Sequence, residues 1–334
     1  MIAATHRSVL EPSPDPGQNR YHHAASKYLS KTLRGFQDAL SNSISSTPAD
    51  ALMAVSLLLY HYAWSSVDHA AVLFALPNSP TVSRELTSSL NLAADPLLNL
   101  SVGLRYLFLK MGALAPNSES PWRQYARERP RVRIVQAVRR QQQGHDVLGQ
   151  MESYLLGGYR SDTATLQLSA DSLVNDTAAL AAYSESAGRL APILAVQSSS
   201  VAVRDDQVIS SDSDPSSDPA VRLSDIIRYL FSYPIHFCDT FRSLVAAHDR
   251  RALFLLLHFF RAVGRLLPPG RCWWAQRRAI LLEHQLECFL NDQSAVLEQD
   301  SLMRPTSSRL DAGAEYALYP VRDWLDGECI HGQF

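Results

Sequence analysis

Lysine is nearly missing from this 334-residue chain: of 31 basic residues only Lys27, Lys31 and Lys110 are lysines, and 33 acidic residues leave a formal charge of −2. That balance excludes a protein that coats nucleic acid by charge alone, and the lysine scarcity itself reads as codon bias. Cysteine is scarce too. Cys238, Cys272, Cys288 and Cys329 lie 34, 16 and 41 residues apart, so no CxxC pair exists to build a zinc ribbon or a thioredoxin-type site. Free thiols of a reducing compartment are expected. GxSxG, HExxH and the GxxxxGK[ST] phosphate loop are all absent, which removes the hydrolase and nucleotide classes that carry a local signature. Met1 to Gly17 carries His6, Arg7 and Glu11 plus three prolines but no apolar core, so it does not read as a secretory signal. The uncharged stretch Ala51 to Val67 is 17 residues long and carries Ser56, His61, Ser65, Ser66 and two tyrosines. These polar groups are costly in lipid, so a buried helix is expected rather than a membrane span.

Apolar residues at 46% and charged residues at 19% describe a chain that folds around a core. Residues 1–18 read as a flexible arm, and 19–197 as the N-terminal helical part. Tyr21, Ala25, Tyr28, Thr32, Phe36 and Ala39 recur at helical spacing. Thr47-Pro48-Ala49-Asp50 reads as a helix start running to about Trp64, apolar on nearly every face. Asp95-Pro96 repeats that signal for Leu97 to Met111, with Gly112 as a left-handed cap. Pro116 to Pro130 reads as a loop, Val132 to Leu156 as one helix closed by Gly157-Gly158, and Leu173 to Leu194 as a helix interrupted near Pro192. Residues 198–219, rich in Ser and Asp, read as a disordered linker with candidate phosphorylation serines. The C-terminal helical part, 220–292, is expected to pack on the first. It comprises Arg222 to Ser232, His236 to Ala247, Arg250 to Leu267 capped by Asp249, and Cys272 to Leu290 after the Pro268-Pro269-Gly270 stop. Residues 293–334 form a poorly defined tail in which Tyr316, Tyr319 and Trp324 suggest docking. No alternating pattern points to a sheet, so the expected class is all-α, a multi-helix array or bundle.

Candidate sites are few. Arg127, Arg129, Arg131, Arg133, Arg139 and Arg140 form a basic cluster that reads first as a solvated face and second as a phosphate or acidic-partner contact. His145-Asp146 and His248-Asp249 are HD dipeptides of the kind some all-α metal phosphohydrolases use, but Asp249 is already explained as a helix cap. His22-His23 and His61 read as structural. His258 is a single polar group in an apolar wall, which can orient a ligand. Trp273-Trp274 point about 100° apart at a helix start, one into the core and the other over a groove. No residue set calls for a metal or cofactor.

Two segments resemble a known family. Tyr21-His22-His23-Ala24-Ala25 through Ser30-Lys31-Thr32-Leu33-Arg34-Gly35-Phe36-Gln37-Asp38-Ala39-Leu40, followed by Ala49-Asp50-Ala51-Leu52-Met53-Ala54-Val55-Ser56-Leu57-Leu58-Leu59, resembles the opening of the regulatory region in fungal zinc-cluster (Zn2Cys6) transcription factors of the sterol-uptake-control type. Arg251 to Phe260, with Trp273-Trp274 beyond, is similar to a later segment of the same family, although Arg250-Arg251 stands where the family often has a proline. The two matches span about 20–292 in the family's order. The resemblance implies an all-α regulatory or ligand-sensing domain, transcriptional action in the nucleus, and homo- or heterodimerisation with related factors. It also implies an apolar small-molecule ligand, with Leu256, Phe259, Phe260, Trp273 and Trp274 as wall residues beside His258. It departs at one point: the first cysteine is Cys238, so these residues hold no six-cysteine zinc cluster and DNA contact is expected to be indirect. Two other functions compete, a soluble helical lipid or sterol carrier and an HD-type metal hydrolase.

Overall fold

A computed structural model describes residues 20–41, 46–65, 90–114, 129–141, 145–162, 170–198, 203–204 and 220–303. Ten α-helices lie among them: α1 (Arg20–Ser41), α2 (Ser46–Ser65), α3 (Pro96–Leu114), α4 (Pro130–Gln141), α5 (Val147–Asp162), α6 (Ala170–Ser198), α7 (Leu223–Ser232), α8 (Asp239–Ala246), α9 (Arg250–Leu266) and α10 (Pro269–Met303). Single 3-10 turns occur at Leu92–Ala94 and Pro234–His236. The only extended pairing among the described residues joins β1 (Val203–Arg204) to β2 (Val221–Arg222) as a parallel pair two residues long. The class is all-α, as the periodicity implies.

Capping residues set several helix starts. Asp95 Oδ1 accepts the backbone N–H groups of Leu97 (2.8 Å) and Leu98 (3.1 Å), with Pro96 in the first turn where its missing N–H costs nothing. Asp146 does the same for α5 through the Gly149 N–H at 3.0 Å. A Cβ on Gly149 would lie 2.1 Å from Asp146 Oδ2, so a larger residue there would make that carboxylate turn aside. Asp249 caps α9, accepting from Arg251 N (3.0 Å) and Ala252 N (2.9 Å). Between α8 and α9, His248 takes a left-handed conformation (φ 56°). His248 N bonds Val245 O at 3.1 Å and Asp249 N bonds Leu244 O at 2.9 Å, the paired pattern that closes a helix C-terminus.

Several expected boundaries move. Residues 132–156 are not one helix: α4 ends at Gln141 and α5 starts at Val147. Gly157-Gly158 does not close α5, which runs to Asp162, nor does Gly112 close α3, which runs to Leu114. The helix expected from Cys272 begins at Pro269, with Cys272 at a non-helical φ of −118° marking the bend, and it continues to Met303. Helix α2 is not enclosed on every face, since Leu58 is 50% exposed. The expected arm at 1–18, most of the loop at 116–130, most of the linker at 198–219, Arg127, Cys329 and the tail aromatics lie outside the described residues.

Pro192 does not interrupt α6, which stays helical to Ser198. A proline inside a helix deprives the carbonyl four residues back of its donor. That carbonyl, Gly188 O, instead accepts from Arg131 Nη2 at 3.0 Å. The next one, Arg189 O, accepts from the Tyr229 hydroxyl at 2.6 Å, and Ser186 O accepts from Tyr233 at 3.2 Å. Side chains of α4 and α7 and a tyrosine just past α7 thus bond the carbonyls of the turn before the proline.

One apolar core runs through α2, α3, α4, α5, α6, α7, α8, α9 and the first part of α10. Helix α9 is its axis, with Ala252, Leu253 and every residue from Leu255 to Val263 buried. Helix α5 packs along α6, α2 along α3, and α4 against α7. The described residues up to Asp292 form one compact unit.

Candidate ligand-facing site around the central helix

The C-terminal turn of α2 brings Tyr60, His61 and Trp64 against α9 and α10. Trp64 is fully buried, its ring edge-on to Phe231 (centroids 5.1 Å), Phe259 (6.1 Å), Phe260 (6.3 Å) and Trp274 (6.4 Å). Such edge-to-face contacts match the negative face of one ring to the positive edge of another. Trp274, half-buried, stacks on Phe231 at 4.6 Å and meets the His61 ring at 5.0 Å. His61 donates from Nδ1 to Leu57 O at 2.7 Å within its own helix.

Polar bonds clamp this aromatic junction. Arg278 of α10 donates to Ala63 O at 2.8 Å and pairs with Asp95 at 2.5 Å. Asp95 therefore starts α3 with one oxygen and neutralises a buried guanidinium with the other. The Tyr60 hydroxyl donates to Phe231 O at 2.9 Å, and burial pushes its pKa far above the ordinary phenol value.

His258 stands on a different flank of α9. Its Nε2 lies 3.2 Å from the Tyr154 hydroxyl of α5, and the two rings meet edge to face at 5.4 Å. Phe254, one turn earlier, closes the other side at 4.5 Å. Burial, then the charges of Arg261 and Arg265, lower the His258 pKa to about 3. Burial raises the Tyr154 pKa, with Arg261 opposing. Both groups are therefore neutral at neutral pH, and the pair orients by hydrogen bonding rather than by carrying protons.

Next along this flank is Arg261, 6% exposed in its side chain. Its Nε bonds Glu283 at 2.9 Å and its Nη2 pairs with Glu287, both on α10. Its Nη1 is buried without a hydrogen-bond partner among the described residues. A buried guanidinium nitrogen left in this state is costly and calls for a reason.

The six sequence candidates therefore do not share one wall. Phe259, Phe260 and Trp274 converge on Trp64; His258 faces Tyr154; Leu256 is fully buried on α9; Trp273 is half-buried at the start of α10. Trp64, Phe231, Tyr154 and Arg261 escaped the sequence reading. Arg261 had a signal: it is the one formal charge in Ala252–Val263, and Glu283 and Glu287 recur one helical turn apart on α10.

The other motifs have structural roles. Asp146 and Asp249, the acidic halves of both HD dipeptides, are N-caps, and Asp249 also accepts from the Tyr183 hydroxyl at 2.7 Å. Among the described residues no three His, Cys, Asp or Glu side chains group to hold a metal. Cys238, Cys272 and Cys288 are free thiols, and Cys238 Sγ accepts from Phe241 N at 3.4 Å as the cap of α8. Within the basic cluster, Arg131 bonds Gly188 O, Arg133 pairs with buried Asp225 at 3.0 Å, and Arg129 and Arg139 are exposed. No helix among the described residues is long and apolar enough to cross a membrane. No protein-family model, no curated protein and no solved structure matches this chain.

Proposed function

We propose that this chain is a transcriptional regulator whose all-α domain senses an apolar small molecule, as its resemblance to fungal zinc-cluster regulatory regions implies. One observation carries the reading. Helix α2, which carries the end of the first resembling segment, reaches the second through Trp64, just beyond that segment's Leu59, which packs on Phe259 and Phe260 of α9 and on Trp274 of α10 about 200 residues later in the sequence. With Phe231 of α7 also against Trp64, changes at that junction bear on four helices at once, which is what a ligand-driven rearrangement requires. The half-buried Trp274 is its accessible edge, while Tyr154, His258 and the unpartnered Arg261 Nη1 offer polar contacts on the second flank. These residues contain no six-cysteine cluster, so the DNA contact of the proposed assembly comes from outside them; the resemblance also implies pairing with related factors in the nucleus.

The test fuses the chain to a heterologous DNA-binding domain and reads a reporter in a fungal nucleus. Output that differs from the reader alone, and that Trp274→Ala alters, supports the regulator. Unchanged output, with an apolar lipid co-purifying with the protein, would assign it instead as a soluble carrier.

A further inference from the structure

Away from the aromatic junction, arginines from four helices gather around the Pro234–His236 turn, and their charges are not balanced. Arg105 Nη1 of α3 and Arg242 Nη1 of α8 both donate to a single acceptor, Phe237 O, at 2.8 and 3.0 Å. A carbonyl is neutral, so it holds the two guanidiniums side by side without cancelling either charge. Arg242 also pairs with Asp239, which is 93% exposed and correspondingly well hydrated. Arg105 has no carboxylate within ion-pair distance among the described residues. Beside them, Arg131 of α4 bonds the Gly188 carbonyl and reaches the Tyr229 hydroxyl, neither of them charged, while Arg189 of α6 pairs with Glu185. Four guanidiniums thus meet two carboxylates, and Arg105, Arg131, Arg189 and Arg242 all retain solvent access.

His236 marks the centre. His236 is exposed as a residue, yet partial burial of its imidazole and then the charges of Arg189, Arg105 and Arg131 lower its pKa to about 4, with Glu185 opposing. Three cations from three helices are close enough to act on one imidazole. Neutral His236 adds a hydrogen-bond donor without a further charge.

We propose that this cluster is a binding site for a phosphate-type oxyanion, bridged by Arg105 and Arg242 and flanked by His236, Arg131 and Arg189. Arginine is the side chain suited to it, because its planar fork meets two oxygens of one anion and stays charged at every relevant pH. The site does not depend on the apolar ligand or on any role in transcription.

Thermal unfolding and calorimetric titration of the full chain would test it, with inorganic phosphate and O-phosphoserine compared against chloride at matched ionic strength. The expected result is saturable stabilisation by the phosphates and not by chloride. Tighter binding of O-phosphoserine identifies a protein-borne phosphate as the source, and equal binding a small phosphate. Arg105→Gln and Arg242→Gln should each weaken binding at least about tenfold, while Arg139→Gln, exposed at the end of α4, should not. Should those variants fail to fold, phenylglyoxal modification of the unaltered protein gives the same answer, with phosphate protecting Arg105 and Arg242 but not Arg139. Equal responses to phosphate and chloride, or equal modification of all three arginines, would overturn the site.

Discussion

His258 sits inside an apolar helix with a pKa near 3, held there by burial and by Arg261 and Arg265. In the unfolded chain a histidine titrates near its ordinary value, roughly 6.5. Between those values the unfolded state binds a proton that the folded state refuses, so stability rises with pH in that window. The stabilisation is complete above about pH 6.5 and is lost as pH falls toward 3. Urea denaturation from pH 7 to 4.5 should therefore show a steep loss that becomes shallower in His258→Phe. A loss of equal slope in the variant would mean that His258 is hydrated. The same residue shows where sequence reading stops: an isolated histidine in a run of Leu and Phe was visible, but its partner Tyr154 lies 104 positions away. Arg261 was equally visible as a charge in that run, and only α10 shows which two glutamates answer it.

At the scale of the element, α6 is the instructive helix. Proline chemistry alone argues for a break at Pro192, yet α6 continues because Arg131 and Tyr229 bond the carbonyls of the preceding turn. Arg131→Met should cost about 1 kcal/mol, the usual net worth of such a bond. In a Pro192→Ala background, where residue 192 supplies Gly188 O with its own N–H, the same change should cost less. A double-mutant cycle by chemical denaturation should return a coupling of at least about 0.5 kcal/mol. Additive effects would detach the arginine from the proline. The start signals behaved differently. Asp95-Pro96 and Asp249 cap where the sequence places them, because an N-cap uses only bonds within the next three residues. The glycines at 112, 157 and 158 failed as stops: both helices run on past them, and a glycine inside a helix costs only about 1 kcal/mol, too little by itself to end one.

For the whole molecule, Trp64 is where α2, α7, α9 and α10 meet. Trp64→Ala should destabilise the unit ending at Asp292 by about 3–5 kcal/mol in a single cooperative transition. If α2 frayed while the rest unfolded with unchanged stability, the junction would be peripheral. The outer faces carry a second lesson. Helix α1 shows apolar periodicity and α2 is apolar on nearly every face, yet Tyr28 and Leu58 are at least half exposed while Ala25 and Leu59 are buried. Periodicity tells that a stripe exists, and neighbouring helices decide which part of it is covered.

The class of the fold, the capped starts of α3 and α9 and the buried run along α9 were all present in the amino-acid order. They depend on interactions within a turn or two, and on a helical period that any packing must respect. Tertiary structure alone decided that Phe259 and Phe260 face Trp64 while His258 faces Tyr154, that Pro192 is tolerated, and that Arg105 and Arg242 share the Phe237 carbonyl. Each of those outcomes joins residues on separate elements, and the path of the chain between them is set by the packing of the whole core rather than by local spacing.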